Sequence, residues 1–249
     1  MTKIVVGSAH DRGVTTLTLD SPANRNALSA ELVAELRAVL AAAGADPAVR
    51  AVLLTHTGGT FCAGADLKSP CDPADFLALL REIAELAKPV VARVAGHVRA
   101  GGLGLLGVCD IAAGGPQSSY AFTETHLGVV PAVISAPLLP RLEPRAAARY
   151  LLTAEVFGAA EAARIGLLTL HGEHVEDVDD ALAPVLAGLR DAGPTALAET
   201  KRLLTAPVRE ALARDGEELA ALSARVFGSA EAREGIAARF ERRRPTWAP

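Results

Sequence analysis

The sequence predicts an α/β fold with a helical C-terminal region, and three observations carry that reading. Short apolar runs alternate with amphipathic helical stripes up to about Glu143, the pattern of a parallel sheet with crossover connections. Beyond Glu143 only helical patterns follow. Half of the 249 residues are apolar but only 4% are aromatic, so the core must be built from tightly packed Ala, Leu and Val.

Taken in order, "KIVVGSA" (3–9) and "VTTLTLD" (14–20) read as two strands around the turn "HDRG". "SAELVAELRAVLAAAG" sets Leu32, Val33, Leu36, Val39 and Leu40 on one helical stripe, with Ser29 as N-cap and Gly44 as the expected stop. "VRAVLLTHT" reads as a buried strand. "DPADFLALLREIAELA" is a helix capped by Asp72 with Pro73 in its first turn. "KPVVARVAG" is the next buried strand, followed by a glycine loop and a short helix ending at "VCD". "IAAGG" and "YAFTE" complete the strands. Six helical segments follow, from "EPRAAARYLLTAE" to "SAEAREGIAARFERR". Their apolar stripes exceed what a lone appendage hides, so the tail is expected to pack on the core or on a neighbouring subunit. The division expected is a core over 1–193 and a helical region over 194–249.

Composition narrows the function. A net charge of −4 argues against a nucleic-acid partner, and Arg242–Arg244 reads as a solvated helix end. Cys62, Cys71 and Cys109 lack the paired spacing of a zinc site and read as free thiols in a reducing cytosol. The N-terminus has no secretory signal pattern, and "THLGVVPAVISAPLLP" is too short and proline-broken to span a bilayer. A cytoplasmic protein without a membrane partner is expected.

The sharpest local signal is "VRAGGLGLLGVCDI", whose Gly102-x-Gly104-x-x-Gly107 fits the dinucleotide-binding pattern. Its context does not fit. "AGHVRAG" separates the glycines from their strand, and no acid closes the following strand. A second glycine-rich loop, "GGTFCAGADLK" (58–68), also follows a buried strand. Two such loops suggest two sets of backbone N–H groups facing one site, for a phosphate or a developing oxyanion.

"FCAGADL", then "KPVVARVAGHVRAGGLGLLGVCDI", then "FTETHLGVVP" together resemble the enoyl-CoA hydratase/isomerase, or crotonase, superfamily. The resemblance runs from "SPANRNALS" to "EGIAARFERRRPTW". It implies a crotonase-like spiral of ββα units, with 194–249 serving trimerisation in a homotrimer or dimer of trimers; the apolar stripes of roughly 194–244 add the expectation that these helices cover a neighbouring active site. It implies an acyl-CoA substrate, no metal and no further cofactor. By position, the N–H groups of Ala65 and Gly101 would hold the thioester oxygen, and Glu124 would be the acid–base group. Arg25, Ala27 and Leu28 match the segment lying along CoA. Ala63, Asp66 and Leu67 fall in the other CoA-contacting loop, where Asp66 is also expected to order the loop itself.

One departure matters. Gly104 stands where hydratases of this family typically carry a second glutamate. "GGLGLLGVCDI" with "LGVVPAVISAPLLPRLEPRAAARYLLTAE" also looks like the methylglutaconyl-CoA-type hydratases of leucine and isoprenoid breakdown, which look to carry glycine there too. That likeness implies hydration of a 2-enoyl-CoA, branched or glutaconyl-type. An isomerase using one glutamate and a non-catalytic acyl-CoA-binding protein are the alternatives. His97 and Arg99 are candidates to line the acyl pocket or meet a substrate carboxylate, against a plain loop-surface role. His126 reads as structural or solvent-facing.

Overall fold

In the computed structural model, which describes residues 5–174 and 177–249, the chain opens with a hairpin. β1 (Val6–Asp11) and β2 (Val14–Leu19) pair antiparallel with Asp11 opposite Val14. The two-residue turn between them has Arg12 and Gly13 at positive φ, matching the twist of the strands. The turn is therefore tighter than "HDRG" suggests.

α1 (Ala30–Ala45) starts as expected: the Ser29 hydroxyl accepts from the Leu32 N–H. It does not stop at Gly44, which lies inside it. Asp46 ends the helix, because Pro47 follows and the Asp46 carboxylate turns back to the Ala48 N–H. The chain then spirals. β3 (Ala51–His56) and β4 (Thr60–Cys62) precede α2 (Pro73–Glu85), which Asp72 caps through the Ala74 N–H. β5 (Val90–Val94) and β6 (His97–Arg99) precede α3 (Gly101–Val108). β7 (Ile111–Gly114) and β8 (Ser119–Ala121) precede α4 (Ala132–Leu138) and α5 (Pro144–Thr153). Each turn thus gives its first strand to a large sheet, which runs β1-β2-β3-β5-β7 to this point, and its second to a small one, which runs β4-β6-β8.

Two corrections belong to the region after Glu143, which is not purely helical. β9 (Phe157–Gly158) closes the small sheet antiparallel to β8. After α6 (Ala159–Arg164), β10 (Leu170–His171) closes the large sheet parallel to β7. The glycine segment is also not a loop: Gly101, Gly102, Gly104 and Gly107 are the helix α3 itself, and all but Gly101 are buried there.

α7 (Asp177–Asp191) covers one face of the large sheet, where Val178 and Leu182 meet Val91 and Ala113. The other face joins the main core. α8 (Pro194–Leu204) leads to the long α9 (Ala206–Phe227), which packs on α2 and α4 with Val208, Ala211, Leu212 and Ala220 in that core. α10 (Ala230–Glu241) ends the chain's regular structure. Among the described residues no helix is long and apolar enough to cross a membrane.

Candidate active site

The two glycine-rich segments meet because their backbones are folded for close approach. Gly64 has φ +87, and a Cβ there would sit 2.8 Å from the Ala100 Cβ and 3.6 Å from the Gly101 nitrogen. Ala100 itself is held at φ 48, ψ −120, a conformation an L residue adopts at a cost of about 1–3 kcal/mol. That turn delivers Gly101 as the first residue of α3, where helix geometry leaves an N–H without an intrahelical acceptor. On the facing segment Leu28 donates to the Gly64 carbonyl and accepts from the Asp66 N–H, so the Ala65 N–H between them points away from Leu28. Among the described residues, neither the Ala65 nor the Gly101 N–H donates to a carbonyl. Both residues line one cavity of about 1000 Å³.

Glu124 lines the same cavity. It opens the 3-10 turn Thr125–Leu127, and its carbonyl accepts from the Leu127 and Val129 N–H groups. The residue is only 7% exposed, and Oε2 has no hydrogen-bond partner among the described residues. Burial pushes the carboxyl up to about 7, offset only by a backbone hydrogen bond. A carboxyl poised there exchanges protons readily at neutral pH.

Asp66 is the other carboxylate lining the cavity, and both its oxygens are engaged. Oδ1 accepts from the Lys68 and Ser69 N–H groups and Oδ2 from the Asn24 amide. Burial alone would raise this carboxyl, but those hydrogen bonds bring it below its ordinary value. Its side chain orders the loop.

Arg25, Ala27, Leu28, Ala63 and Leu67 also line the cavity, so every residue singled out by position shares one space. Sequence reasoning missed what holds them. Asn26 is fully buried at φ 53, accepting from the Ser21 N–H and donating to the Thr57 and Thr60 carbonyls. The only sequence signal was an Asn in a turn, the residue type that best tolerates a left-handed backbone. His97 and Arg99 reach the cavity from β6, and His126 sits exposed at its edge.

The place of the absent glutamate is not empty. A Cβ on Gly104 would lie 2.7 Å from Cγ2 of Ile134 and 3.4 Å from Phe76. Gly104→Glu alone is therefore expected to cost at least the usual overpacking penalty of about 1–3 kcal/mol and to bring no gain in rate. Adding Ile134→Ala should restore the room. Urea unfolding and turnover of both variants check this.

The C-terminal helices pack on the cavity of their own chain. α10 lies on the turn that bears Glu124: a Cβ on Gly235 would be 2.4 Å from the Leu127 carbonyl oxygen, and one on Gly128 would be 2.8 Å from that of Glu231. Phe227, Ala238 and Phe240 line the cavity of their own chain. Of the two expected places for the tail, the core of its own chain and a neighbouring subunit, the first is therefore occupied.

The sequence profile described as enoyl-CoA hydratase/isomerase matches residues 9–249. The chain belongs to this family. A solved enoyl-CoA hydratase from Mycobacterium avium shares 49% identity, with a TM-score of 0.92 over 99% of this chain and 100% of that one. An enoyl-CoA hydratase/isomerase from Pseudoalteromonas atlantica T6c superposes with a TM-score of 0.88 at 28% identity, over 98% and 100% of the two chains. The enoyl-CoA hydratase EchA19 of Mycobacterium tuberculosis is 34% identical over 95% of this chain and 94% of its own. The mixed α/β architecture with its helical C-terminal region is the crotonase fold of these enoyl-CoA hydratase/isomerase structures.

Proposed function

We propose that this enzyme is a hydro-lyase that adds water across the double bond of a 2-enoyl-CoA whose acyl group is branched or glutaconyl-type. The observation that carries the reading is Glu124: a buried carboxyl with an unpartnered oxygen, in a cavity that also presents two uncommitted N–H groups. The thioester oxygen accepts from Ala65 and Gly101. Glu124 takes a proton from water as the oxygen adds to C3, and the electron pair of the double bond moves onto the thioester as an enolate. The same carboxyl returns the proton to C2, completing the addition of H and OH. Each oxyanion donor supplies about 2.7–4 kcal/mol to such a transition state. Arg25, Ala27, Leu28, Ala63 and Leu67 lie along CoA in this reading, with Asp66 shaping their loop.

No metal or nicotinamide enters this chemistry. We place the enzyme in the cytoplasm as a homotrimer or dimer of trimers assembled through 194–249. Support comes from the exposed apolar side chains Leu203 and Leu204 on α8.

A panel of 2-enoyl-, 3-enoyl- and methylglutaconyl-CoA thioesters tests the proposal, with hydration and double-bond migration followed separately. Hydration of methylglutaconyl-CoA faster than of unbranched 2-enoyl-CoA is the expected result. Migration of the double bond without water uptake would make the single carboxylate that of an isomerase and overturn the hydratase reading.

A further inference from the structure

Arg99 stands two residues before Gly101, on the outward-facing side of β6 that it shares with His97. Its guanidinium is half-buried and anchored: Nη1 donates to the Val98 and Ser119 carbonyls and Nη2 to the Ser119 hydroxyl. The His97 ring meets the same hydroxyl at 2.9 Å. That leaves the Nε–H and one Nη2–H of Arg99 without an acceptor among the described residues. Arg239, on α10 one turn beyond Gly235, lines the cavity too and acts on Arg99 by charge repulsion. Neither guanidinium has a carboxylate within ion-pair distance among the described residues. Arg243, nearby, is by contrast neutralised by Glu234 and Glu241.

Two like charges held in one cavity without a counter-ion call for an anion, and a side-on guanidinium edge suits a carboxylate or a phosphate. Position separates the two. Two residues span at most about 7 Å, so Arg99 is tied to the neighbourhood of the oxyanion N–H groups. The phosphates of CoA lie at the far end of the pantetheine arm from the thioester. The strand next to β6 supports the same placement, since Arg99 is in register with Ala121, three residues before Glu124. Glu124 and the N–H groups of Ala65 and Gly101 serve the reacting end of the acyl group in this reading, so an anion held by the two arginines lies beyond the reacting carbons.

We infer that Arg99 and Arg239 together bind a carboxylate at the far end of the acyl group, which makes the substrate a carboxylated enoyl-CoA. The inference rests on the acyl-CoA reading of the cavity and adds to it the residues that select the acyl chain. Arg99 contributes a fixed, pre-oriented fork. Arg239 contributes a charge carried by α10, so that the tail takes part in recognising the chain end.

Calorimetric titration of the intact protein with three unreactive ligands tests this: glutaryl-CoA, pentanoyl-CoA and CoA alone. The wild-type protein is expected to bind glutaryl-CoA about 10–100-fold more tightly than pentanoyl-CoA, the worth of charge-assisted hydrogen bonds to one carboxylate. In Arg99→Met and in Arg239→Met that ratio should fall towards one, and Arg99→Lys should keep part of it. Arg239 is exposed on its helix, so its variant tests the idea without disturbing the sheet. Equal wild-type affinities for the two acyl ligands would overturn the inference alone. So would variants that weaken CoA as much as glutaryl-CoA, because the cations would then be meeting phosphate. Binding of none of the three would remove the acyl-CoA reading itself and this inference with it.

Discussion

Glu124→Gln is expected to lower kcat by about 10²–10⁴ with little change in KM, since the amide keeps the shape of the side chain but cannot carry the proton. In the wild-type enzyme the activity should rise with pH and level off above about 7, where burial has moved the carboxyl. The same burial makes a second, opposite prediction about stability. Between its ordinary value of 4.5 and about 7, the folded chain holds a proton that the unfolded chain has released. Stability contributed by Glu124 is therefore full below the lower value and declines as pH rises to the upper one. The ionised form then costs on the order of 3 kcal/mol above neutrality. Glu124→Gln removes that cost. Urea unfolding should show the variant more stable than wild type near pH 8 and indistinguishable from it near pH 4. An inactive but more stable protein is the signature of a group kept for chemistry at the expense of the fold. Near-wild-type turnover would show that another residue carries the proton.

Lys201→Met is expected to destabilise the protein by about 3–5 kcal/mol, the usual result of removing one partner of a buried ion pair. Lys201 reaches from α8 into the spiral, where its ammonium lies 2.9 Å from Asp110 Oδ2 and donates to the Ile83 and Lys88 carbonyls. The side chain is nearly inaccessible, and burial lowers its proton affinity, partly offset by Asp110. Asp110 also accepts from the Val90 N–H. Loss of the lysine leaves that carboxylate half-served and two carbonyls without their donor, in a place solvent reaches poorly. Substituting Asp110→Asn as well should recover part of the loss, because the uncompensated charge is then gone. Urea unfolding of the single and double variants reads both quantities. A cost below about 1 kcal/mol in the single variant would mean that the pair is no stronger than an exposed one.

What the sequence disclosed follows the range of the forces involved. Ser29 and Asp72 were legible as caps because capping is settled within four residues. The strands β4, β6, β9 and β10 were not, since two or three residues carry no periodicity and exist as strands only through distant partners. The glycine-rich start of α3 and the whole of α4 were obscured for a different reason. Both are apolar on nearly every side, and glycine and proline conceal helices whose support is tertiary. In the site, the motif positions were legible and the packing around them was not. Gly104 shows in the sequence that an acid is absent, but not that Ile134, thirty residues on, fills the room. Nor could the apolar stripes of the tail reveal which chain's cavity they cover.

That last point bears on how variants combine. Because α10 presses its own Gly235 against the turn of its own Glu124, the tail and the acid–base turn of one cavity are inherited on one polypeptide. A damaged tail on one copy and a damaged Glu124 on another cannot be joined into a sound pair. Mixed assemblies would work in simple proportion to the intact chains they contain. Harmful alleles at the two positions would fail to rescue each other.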